Sequence, residues 1–269
     1  MNASRLQHAL MDLAAADGAL SALHVFDELP STNTWLAEQP EAAIDAAHAV
    51  IALHQTAGRG RQGKTWHAPA GSGLCLSVSS TYRAMPGHAS ALALALGVHV
   101  ARALESIGTG EVMLKWPNDL VWQDRKLGGI LVETKTLPDK RFQVIAGVGV
   151  NIALPDGFEL SSDSSGWAEG VADLVRAGIT PGIADVARAI IPEVVDCLIG
   201  YEQIPVSDTV EAFNRRHWLL ERPATLGERM VRCAAVQSDG RLRVVDMLDG
   251  AEHDVDSADV MPLAWTKAS

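Results

Sequence analysis

Short hydrophobic runs separated by polar turns dominate the first 150 residues, and they predict a sheet. Runs of strand length and composition occur at residues 25–26, 49–53, 74–78, 112–115, 129–134 and 142–150. A longer apolar stretch at 89–104 contains only His99 and Arg102 as charged or titratable residues, and it predicts a buried core helix. Several neighbouring strands with few helices indicate a mixed sheet.

The pattern changes after residue 155. Residues 155–166 are polar and small, which is typical of a loop. Helical patterns follow at 168–177, 182–201 and 207–218. From about residue 221 short alternating runs are separated by turn residues at 238–240 and 249–250, as in a β-meander. The chain is therefore predicted to have two domains, at 1–220 and 221–269, of which the second is small and all-β.

Composition narrows the class of protein. The 269 residues are 48% hydrophobic, which excludes a disordered, collagenous or coiled-coil chain. With 22 Lys+Arg and 33 Asp+Glu the net charge is 22 − 33 = −11, so non-specific nucleic-acid binding is disfavoured. Three separated cysteines favour a reducing, cytoplasmic compartment. The first 23 residues lack a secretory signal pattern, and 89–104 is too short to span a bilayer.

The sequence of a glycine-rich loop matches the patterns of two nucleotide-binding motifs. Residues 58–65 satisfy both the P-loop pattern G-x-x-x-x-G-K-[ST] and the dinucleotide pattern G-x-G-x-x-G. Both motifs require a following helix, which Pro69 and the nearby glycines disfavour. Three glycines with Arg59, Arg61 and Lys64 nevertheless suit an anion, and the alternative is a solvated basic turn.

Five ordered motifs resemble those of the biotin protein ligases over residues 24–220, and more loosely beyond. They lie at 31–33, 55–63 together with Trp66, 115–120, 126–133 and 147–152. The resemblance implies an α+β catalytic domain similar to class II aminoacyl-tRNA synthetases, with a mixed, mostly antiparallel sheet, followed by a small SH3-like β-barrel. In the tail, residues 234–240 replace a Gly-Ile-Asp segment often found in the family. About two dozen residues precede the first strand, so no DNA-binding repressor domain is expected.

The family's reaction joins biotin and ATP into biotinyl-AMP and then transfers biotin to a lysine. By resemblance, the acceptor is a biotin carboxyl carrier protein of acetyl-CoA carboxylase or of another biotin-dependent carboxylase. ATP and biotin are then substrates, Mg²⁺ is needed, and both a monomer and a homodimer remain open. Because a carboxylate must approach a phosphate, such a site needs cations and backbone donors more than a nucleophile.

The resemblance also implies roles for individual residues. Lys126, Arg59 and Arg61 would be catalytic cations. The predicted biotin contacts are Ser31, Thr32, Asn33, Gln55, Gly58, Arg59, Gly60, Arg61, Lys126 and Gly147. The predicted adenylate contacts are Arg61, Trp66, Asn118, Asn151 and Trp167, and Asp119 is a candidate Mg²⁺ ligand. The loops at 58–66 and 155–167 are expected to close over the ligand.

Structural and functional alternatives stay open at this point. Ser31 or Thr32 can simply cap a helix, Asn118 and Asp119 can form a turn, and Lys126 can sit at a solvated hairpin corner. Trp116 is expected in the core, and the histidines and cysteines are taken as structural. The functional alternatives are a lipoate- or octanoate-protein ligase of the same fold, a P-loop nucleotide-binding protein, and a biotin sensor without catalysis.

Overall fold

The central element is a seven-stranded sheet. The computed structural model describes residues 1–15, 18–85, 91–158, 170–256 and 260–262. In chain order the strands are β1 (Leu20–Phe26), β2 (Ala47–Ala52), β3 (Gly73–Tyr82), β4 (Met113–Lys115), β5 (Asp119–Trp122), β6 (Arg125–Thr136) and β7 (Phe142–Asn151). Across the sheet they lie in the order β1-β2-β3-β7-β6-β5-β4. β1 and β2 are parallel and the other described pairs are antiparallel, which confirms the mixed sheet.

One face of this sheet packs against two helices, α4 (Leu92–Ser106) and α5 (Ile183–Gly200). From Val144 to Val150, every second residue of β7 is buried in that core. Fully burying such a side chain stabilises the fold by about 1.5–3 kcal/mol. The helix predicted at 89–104 is thus confirmed within the described residues, which resume at 91. Among the described residues, no helix is both long enough and apolar enough to cross a membrane.

The opposite face of the sheet is only partly covered. The short helix α3 (Thr32–Glu38) packs there on a small cluster that includes Leu36, Val50 and Ile145. Beyond α3 this face carries small residues, because the alternation of β3 and β7 places Ser77, Gly147 and Gly149 there. Small side chains leave a depression in the middle of the sheet, and the candidate site occupies it.

Two short helices precede β1, and the sequence pattern did not predict them. They are α1 (Ala3–Ala9) and α2 (Met11–Ala15). Leu6 and Leu10 are fully buried in the main core, and the backbone N–H of Ala3 donates to Asp27 at 2.8 Å. The described N-terminal residues are therefore part of the same packed unit as the sheet.

The helix predicted at 168–177 is wrong for the part of it that is described. The backbone N–H groups of Ala172 and Leu174 donate to carbonyl groups of Lys126 and Asn151, at 2.9 and 3.2 Å. These donors satisfy the ends of β6 and β7, so they are not available for helical hydrogen bonds. The patterns at 182–201 and 207–218 are confirmed as α5 and α6 (Val206–Asn214). Of the loop predicted at 155–166, residues 155–158 form a turn and the rest, with Trp167, lies outside the described residues.

The tail forms a second sheet of five short strands, as its turn spacing predicted. They are β8 (Pro223–Leu226), β9 (Arg229–Val236), β10 (Leu242–Asp246), β11 (Glu252–Val255) and β12 (Val260–Pro262), in the order β11-β10-β9-β8-β12. The described pairs are antiparallel, and none of them joins β11 to β12. The sheet is open over the described residues, so the predicted SH3-like barrel is not confirmed.

Candidate active site

A cavity lies on the small-residue face of the large sheet. It is enclosed by the start of α3, the glycine-rich loop at 58–66, the middle of β6 and β7, and the turn between β4 and β5. Twelve of the predicted site residues line it: Ser31, Thr32, Asn33, Gln55, Arg59, Gly60, Arg61, Trp66, Asn118, Asp119, Lys126 and Gly147. The fold thus brings together residues that are far apart in sequence.

The start of α3 supplies polar groups to one end of the cavity. Ser31 is the N-cap, and its Oγ accepts the backbone N–H of Thr34 at 3.4 Å. The backbone N–H and the hydroxyl of Thr32 both donate to Oε1 of Gln55, at 2.7 and 2.9 Å. The capping role expected as an alternative is therefore present, and the same residues also line the cavity.

Asn33 is held by two residues that sequence reasoning missed, Ser77 and Glu133. Its Nδ2 donates to Oε2 of Glu133 at 2.8 Å, and its Oδ1 lies 2.5 Å from Oγ of Ser77. Ser77 belongs to the row of small polar residues that alternates with leucine and valine along β3. That period-two pattern is visible in the sequence and marks a face with little side-chain volume.

The glycine-rich loop folds back on itself. The backbone N–H of Gly60 donates to the carbonyl of Lys64 at 2.7 Å, and Gly63 has a φ of 77°, a conformation that favours glycine. A single 3₁₀ turn at Arg61–Gly63 is followed by extended backbone and turns, and residues 64–72 contain no helix. The P-loop alternative is therefore wrong, because a P-loop holds phosphate at the start of the helix that follows.

The two arginines of this loop reach across to other elements. Arg59 Nη2 donates to Oε2 of Glu133 on β6 at 2.7 Å. Arg61 Nη1 donates to Oδ1 of Asn118, in the turn between β4 and β5, at 3.4 Å. The loop consequently forms a roof over the cavity, and both guanidinium groups lie at its edge.

Two glycines of β7 make the room that the site needs. A Cβ atom at Gly147 would lie 2.5 Å from Oδ1 of Asn33, and one at Gly149 would lie 2.5 Å from ring atoms of Trp66. Gly147 was predicted as a biotin contact, and here it also makes space for Asn33. Gly149 was not singled out, although it allows Trp66 to pack on the sheet.

Three charged groups form a compact ion cluster in the cavity wall. Lys126 Nζ lies 2.7 Å from Oδ1 of Asp119, and Lys115 Nζ lies 3.6 Å from Oδ2. Burial favours the protonated form of Asp119, but the ammonium groups of Lys126 and Lys115 outweigh burial and hold its pKa below the ordinary value. Lys115 is buried and was assigned no role from the sequence.

This arrangement does not fit the prediction that Asp119 binds Mg²⁺. Both of its carboxylate oxygens face ammonium groups, and a divalent cation there would meet two like charges. In the described ranges no group of three or more His, Cys, Asp or Glu residues is placed to hold a metal ion. We assign no step of the chemistry to a metal held by this chain.

The cavity is cationic although the protein is acidic. Among the described residues that line it, Asp119 is the one carboxylate, and the basic side chains are Arg59, Arg61, Lys64, Lys115 and Lys126. Such a set suits a ligand with more than one negative charge. Cys75 also lines the cavity, but burial raises the pKa of its thiol to about 11, so the thiol remains protonated and is a poor nucleophile at neutral pH.

Two predicted residues lie outside the cavity lining, and a third is not described. Gly58 lies under the backbone of Trp66, outside the cavity lining. Asn151 also lies outside it, because its amide is used to hold the segment after the loop, with Nδ2 donating to the carbonyl of Ala172 at 3.0 Å. Trp167 is not among the described residues. Trp116 is a buried core residue as predicted, and its Nε1 donates to the carbonyl of Gly240, in the turn between β9 and β10, at 3.1 Å.

Comparison with known proteins identifies similar chains. The profile of the biotin/lipoate A/B protein ligase family matches residues 25–151. The bifunctional ligase/repressor BirA of Escherichia coli (strain K12) is 34% identical over 209 residues, which are 78% of this chain and 62% of BirA. The biotin--[acetyl-CoA-carboxylase] ligase of Mycobacterium tuberculosis is 37% identical over 145 residues, covering 52% of this chain and 53% of that protein. The matched region thus spans less than two thirds of these curated relatives.

A solved structure shows the same fold over most of the chain. The biotin protein ligase of Aquifex aeolicus, determined in complex with biotin and ATP, superposes with a TM-score of 0.71. The superposition covers 91% of this chain and 100% of the other, at 22% sequence identity. At that identity the likeness concerns the architecture of the chain.

Proposed function

Because the chain carries a domain of the biotin/lipoate A/B protein ligase family, homologous to the biotin protein ligases, we propose that it activates biotin with ATP and transfers biotin to a lysine of a carrier protein. The observation that supports this most directly is the two-ended cavity. One end carries hydroxyl and amide groups from α3 and Gln55, and the other carries Arg61, Lys115 and Lys126. The first end suits a neutral ureido ring, and the second suits a carboxylate beside a phosphate.

The proposed chemistry has two steps. In the first, an oxygen of the biotin carboxylate attacks the α-phosphorus of ATP, the bond to the β-phosphate oxygen breaks, and pyrophosphate leaves with biotinyl-AMP formed. In the second, the amine of the carrier lysine attacks the acyl carbon, loses a proton, and AMP leaves. Lys126, Arg59 and Arg61 would neutralise the anions that meet in the first step, since like charges otherwise keep the reactants apart. Asp119 would hold Lys126 in place.

The finer assignments remain proposals. Ser31, Thr32, Asn33 and Gln55 would contact the ureido ring, while Trp66 and Asn118 would lie on the adenylate side with the predicted Asn151 and Trp167. ATP would enter as its magnesium complex, so that Mg²⁺ arrives with the substrate. The likeness to class II aminoacyl-tRNA synthetases and the two-domain division at residue 220 also stay predictions.

Biotin is favoured over lipoate or octanoate as the acyl substrate. Lipoate and octanoate have no ureido group, so they would gain no hydrogen bonds from the hydroxyl and amide groups at this end of the cavity, whereas the ureido ring of biotin would. The named relatives are biotin ligases as well. As acceptor we propose a biotin carboxyl carrier protein of acetyl-CoA carboxylase or of another biotin-dependent carboxylase. We further propose that the protein acts in the cytoplasm.

One assay tests this function. The protein is incubated with radiolabelled biotin, magnesium ATP and a carrier domain, and pyrophosphate release is measured in parallel. The control is the same carrier domain with its acceptor lysine replaced by arginine. We expect ATP-dependent labelling of the unmodified carrier alone. Labelling from lipoate and not from biotin would contradict the substrate, and biotin binding without pyrophosphate release would indicate a sensor.

A further inference from the structure

We infer that Glu133 is a positioning residue that sets which groups of the polar end of the cavity donate hydrogen bonds and which accept them. The inference deepens the proposed function and rests on it for the identity of the ligand. Glu133 lies on β6, and its side chain projects to the same sheet face as the neighbouring Leu131 and Lys135, the face that α3 covers. It does not line the cavity, so its effect would pass through the residues that it contacts.

A single carboxylate oxygen of Glu133 serves two distant parts of the chain. Oε2 accepts Nδ2 of Asn33 at 2.8 Å and Nη2 of Arg59 at 2.7 Å. Asn33 belongs to α3 and Arg59 to the glycine-rich loop, which lie 100 and 74 residues from Glu133 in sequence. The position of the loop and the orientation of the Asn33 amide are therefore linked through one charged group.

The charge of Glu133 dictates how Asn33 is turned. An ionised carboxylate can only accept hydrogen bonds, so Asn33 must present its NH₂ group to Glu133 and its carbonyl oxygen to the opposite side. That oxygen lies 2.5 Å from the hydroxyl of Ser77, which has one proton and donates it there.

The same logic extends to the neighbouring groups. Because the Ser77 proton is committed to Asn33, the Ser77 oxygen is left as an acceptor toward the Thr32 hydroxyl, 2.7 Å away, whose single proton is shared between Ser77 and Oε1 of Gln55, 2.9 Å away. The Thr32 backbone N–H donates to Oε1 of Gln55 at 2.7 Å, which fixes the oxygen of Gln55 on that side. Gln55 consequently turns its NH₂ group away from α3, toward the glycine-rich loop. The donors and acceptors that depend on Glu133 are therefore those of Asn33 and Ser77, while the backbone of Thr32 holds Gln55 independently.

Loss of the Glu133 carboxylate is expected to affect biotin binding and not folding. The ion pair with Arg59 is half exposed, with 45% and 33% of the two side chains accessible, and such pairs contribute little to folding stability. Without the carboxylate, Nδ2 of Asn33 keeps only the carbonyl of Leu131 as an acceptor, at 3.4 Å, so the orientation that Asn33 presents to a ureido ring is held less firmly. Biotin affinity is therefore expected to fall while folding is nearly unchanged.

The first test uses the free protein and the variants E133A and E133Q. The observable is the side-chain amide signal of Asn33 in ¹⁵N–¹H NMR spectra, identified by its absence in N33D. We expect this signal to shift and its hydrogens to exchange faster in E133A, with a smaller change in E133Q, which retains an acceptor oxygen. The matched control is E41Q, because Glu41 forms a similar half-exposed pair with Arg141 at 2.8 Å and does not line the cavity. An unchanged Asn33 signal in E133A would overturn the inference.

The second test measures ligand binding and turnover in the same variants. We expect E133A to raise the Kd and the KM for biotin about tenfold, the size expected when one charge-assisted contact is lost, with KM for ATP and kcat within about twofold. E133Q should recover most of the loss, and E41Q should match wild type. Equal losses in kcat and in both KM values would indicate general damage and refute a positioning role. If wild type itself fails to activate biotin, the proposed function fails, whereas the NMR result still decides whether Glu133 orients Asn33.

Discussion

Replacing Lys126 with alanine tests the cationic end of the site most directly. In the free protein Lys126 is the nearer of two ammonium groups on Asp119, at 2.7 Å, and Lys115 is the other, at 3.6 Å. The variant removes one positive charge from the cavity and leaves the Asp119 carboxylate with Lys115 and Arg61 as the nearby cations. Two effects on the reaction follow from this change.

The first effect is the loss of a charged donor to the phosphate in the transition state. Removing one such group costs about 3 kcal/mol of barrier, which is roughly a hundredfold in rate. The second effect concerns Asp119. Burial favours the protonated form of Asp119, but the two lysines outweigh burial and hold its pKa below the ordinary value, so loss of Lys126 raises that pKa. The ionised form of Asp119, which Lys126 no longer neutralises, repels the incoming anions.

The double variant K126A/D119N separates these effects, because it removes the repelling carboxylate as well. Two unit charges ~10 Å apart interact by about 1.7 kcal/mol at an effective dielectric constant of ~20, so the double variant should regain roughly tenfold over K126A. The assay is pyrophosphate release at saturating biotin and ATP. Biotin affinity, measured separately by calorimetry, should change much less than the rate.

The control is R125A, which removes the same charge one residue earlier. Arg125 is exposed and does not line the cavity, so R125A should release pyrophosphate like wild type. A wild-type rate in K126A would remove Lys126 from the mechanism. A double variant slower than K126A would show that Asp119 does more than hold a cation.

Four further predictions concern the glycine-rich loop, the floor of the cavity and the ion cluster. R61G should loosen the roof, release biotinyl-AMP and label unrelated lysines, so serum albumin should take up more biotin than with wild type, and equal labelling would refute the retention role. G149A should displace Trp66 and lower the free energy of unfolding by about 1–3 kcal/mol in denaturant titrations, whereas the control G200A, with open space around it, should not. Hydrogen exchange at 58–66 should slow when biotin and ATP are added, and unchanged exchange would argue against closure. Because the pKa of Asp119 is lowered, its ionised form stabilises the fold above the ordinary carboxyl pKa of 3.8, and this stabilisation is lost as pH falls below that value. The variant D119N should therefore show a smaller loss of unfolding free energy at acidic pH. A loss equal to that of wild type would contradict this.

Local patterns in the sequence were sufficient to predict most strands of the large sheet and the core helix α4. The alternation along β7 and the continuous apolar run of α4 each depend on residues close in sequence, so both could be predicted. The helix predicted at 168–177 failed because distant backbone carbonyls at 126, 151 and 152 take its donors. No local pattern reports such partners, and tertiary contacts overrode the periodicity.

The site residues divide in the same way. Lys126, Arg59, Arg61 and the Ser-Thr-Asn segment could be predicted from ordered motifs. Ser77, Lys115 and Glu133 could not be given a role, because each acts through a partner that only the strand register brings near. Ser77 pairs with Gly147, and Gly147 pairs with Leu131, two residues before Glu133.

The register of three strands explains why one sheet face yields a site with two different ends. Ser77, Gly147 and Leu131 form one row across β3, β7 and β6, and Asn33 lies above its glycine. Cys75, Gly149 and Gly129 form the next row, and Trp66 lies above that glycine.

Two residues along a strand span about 6.6 Å, so these rows are adjacent, with no residue between them that faces the same side. One row thus receives the polar groups of α3 and the other receives the glycine-rich loop. A sheet with larger side chains in either row would admit only one of the two, and the amide cluster and the arginine roof would then not meet over a single ligand.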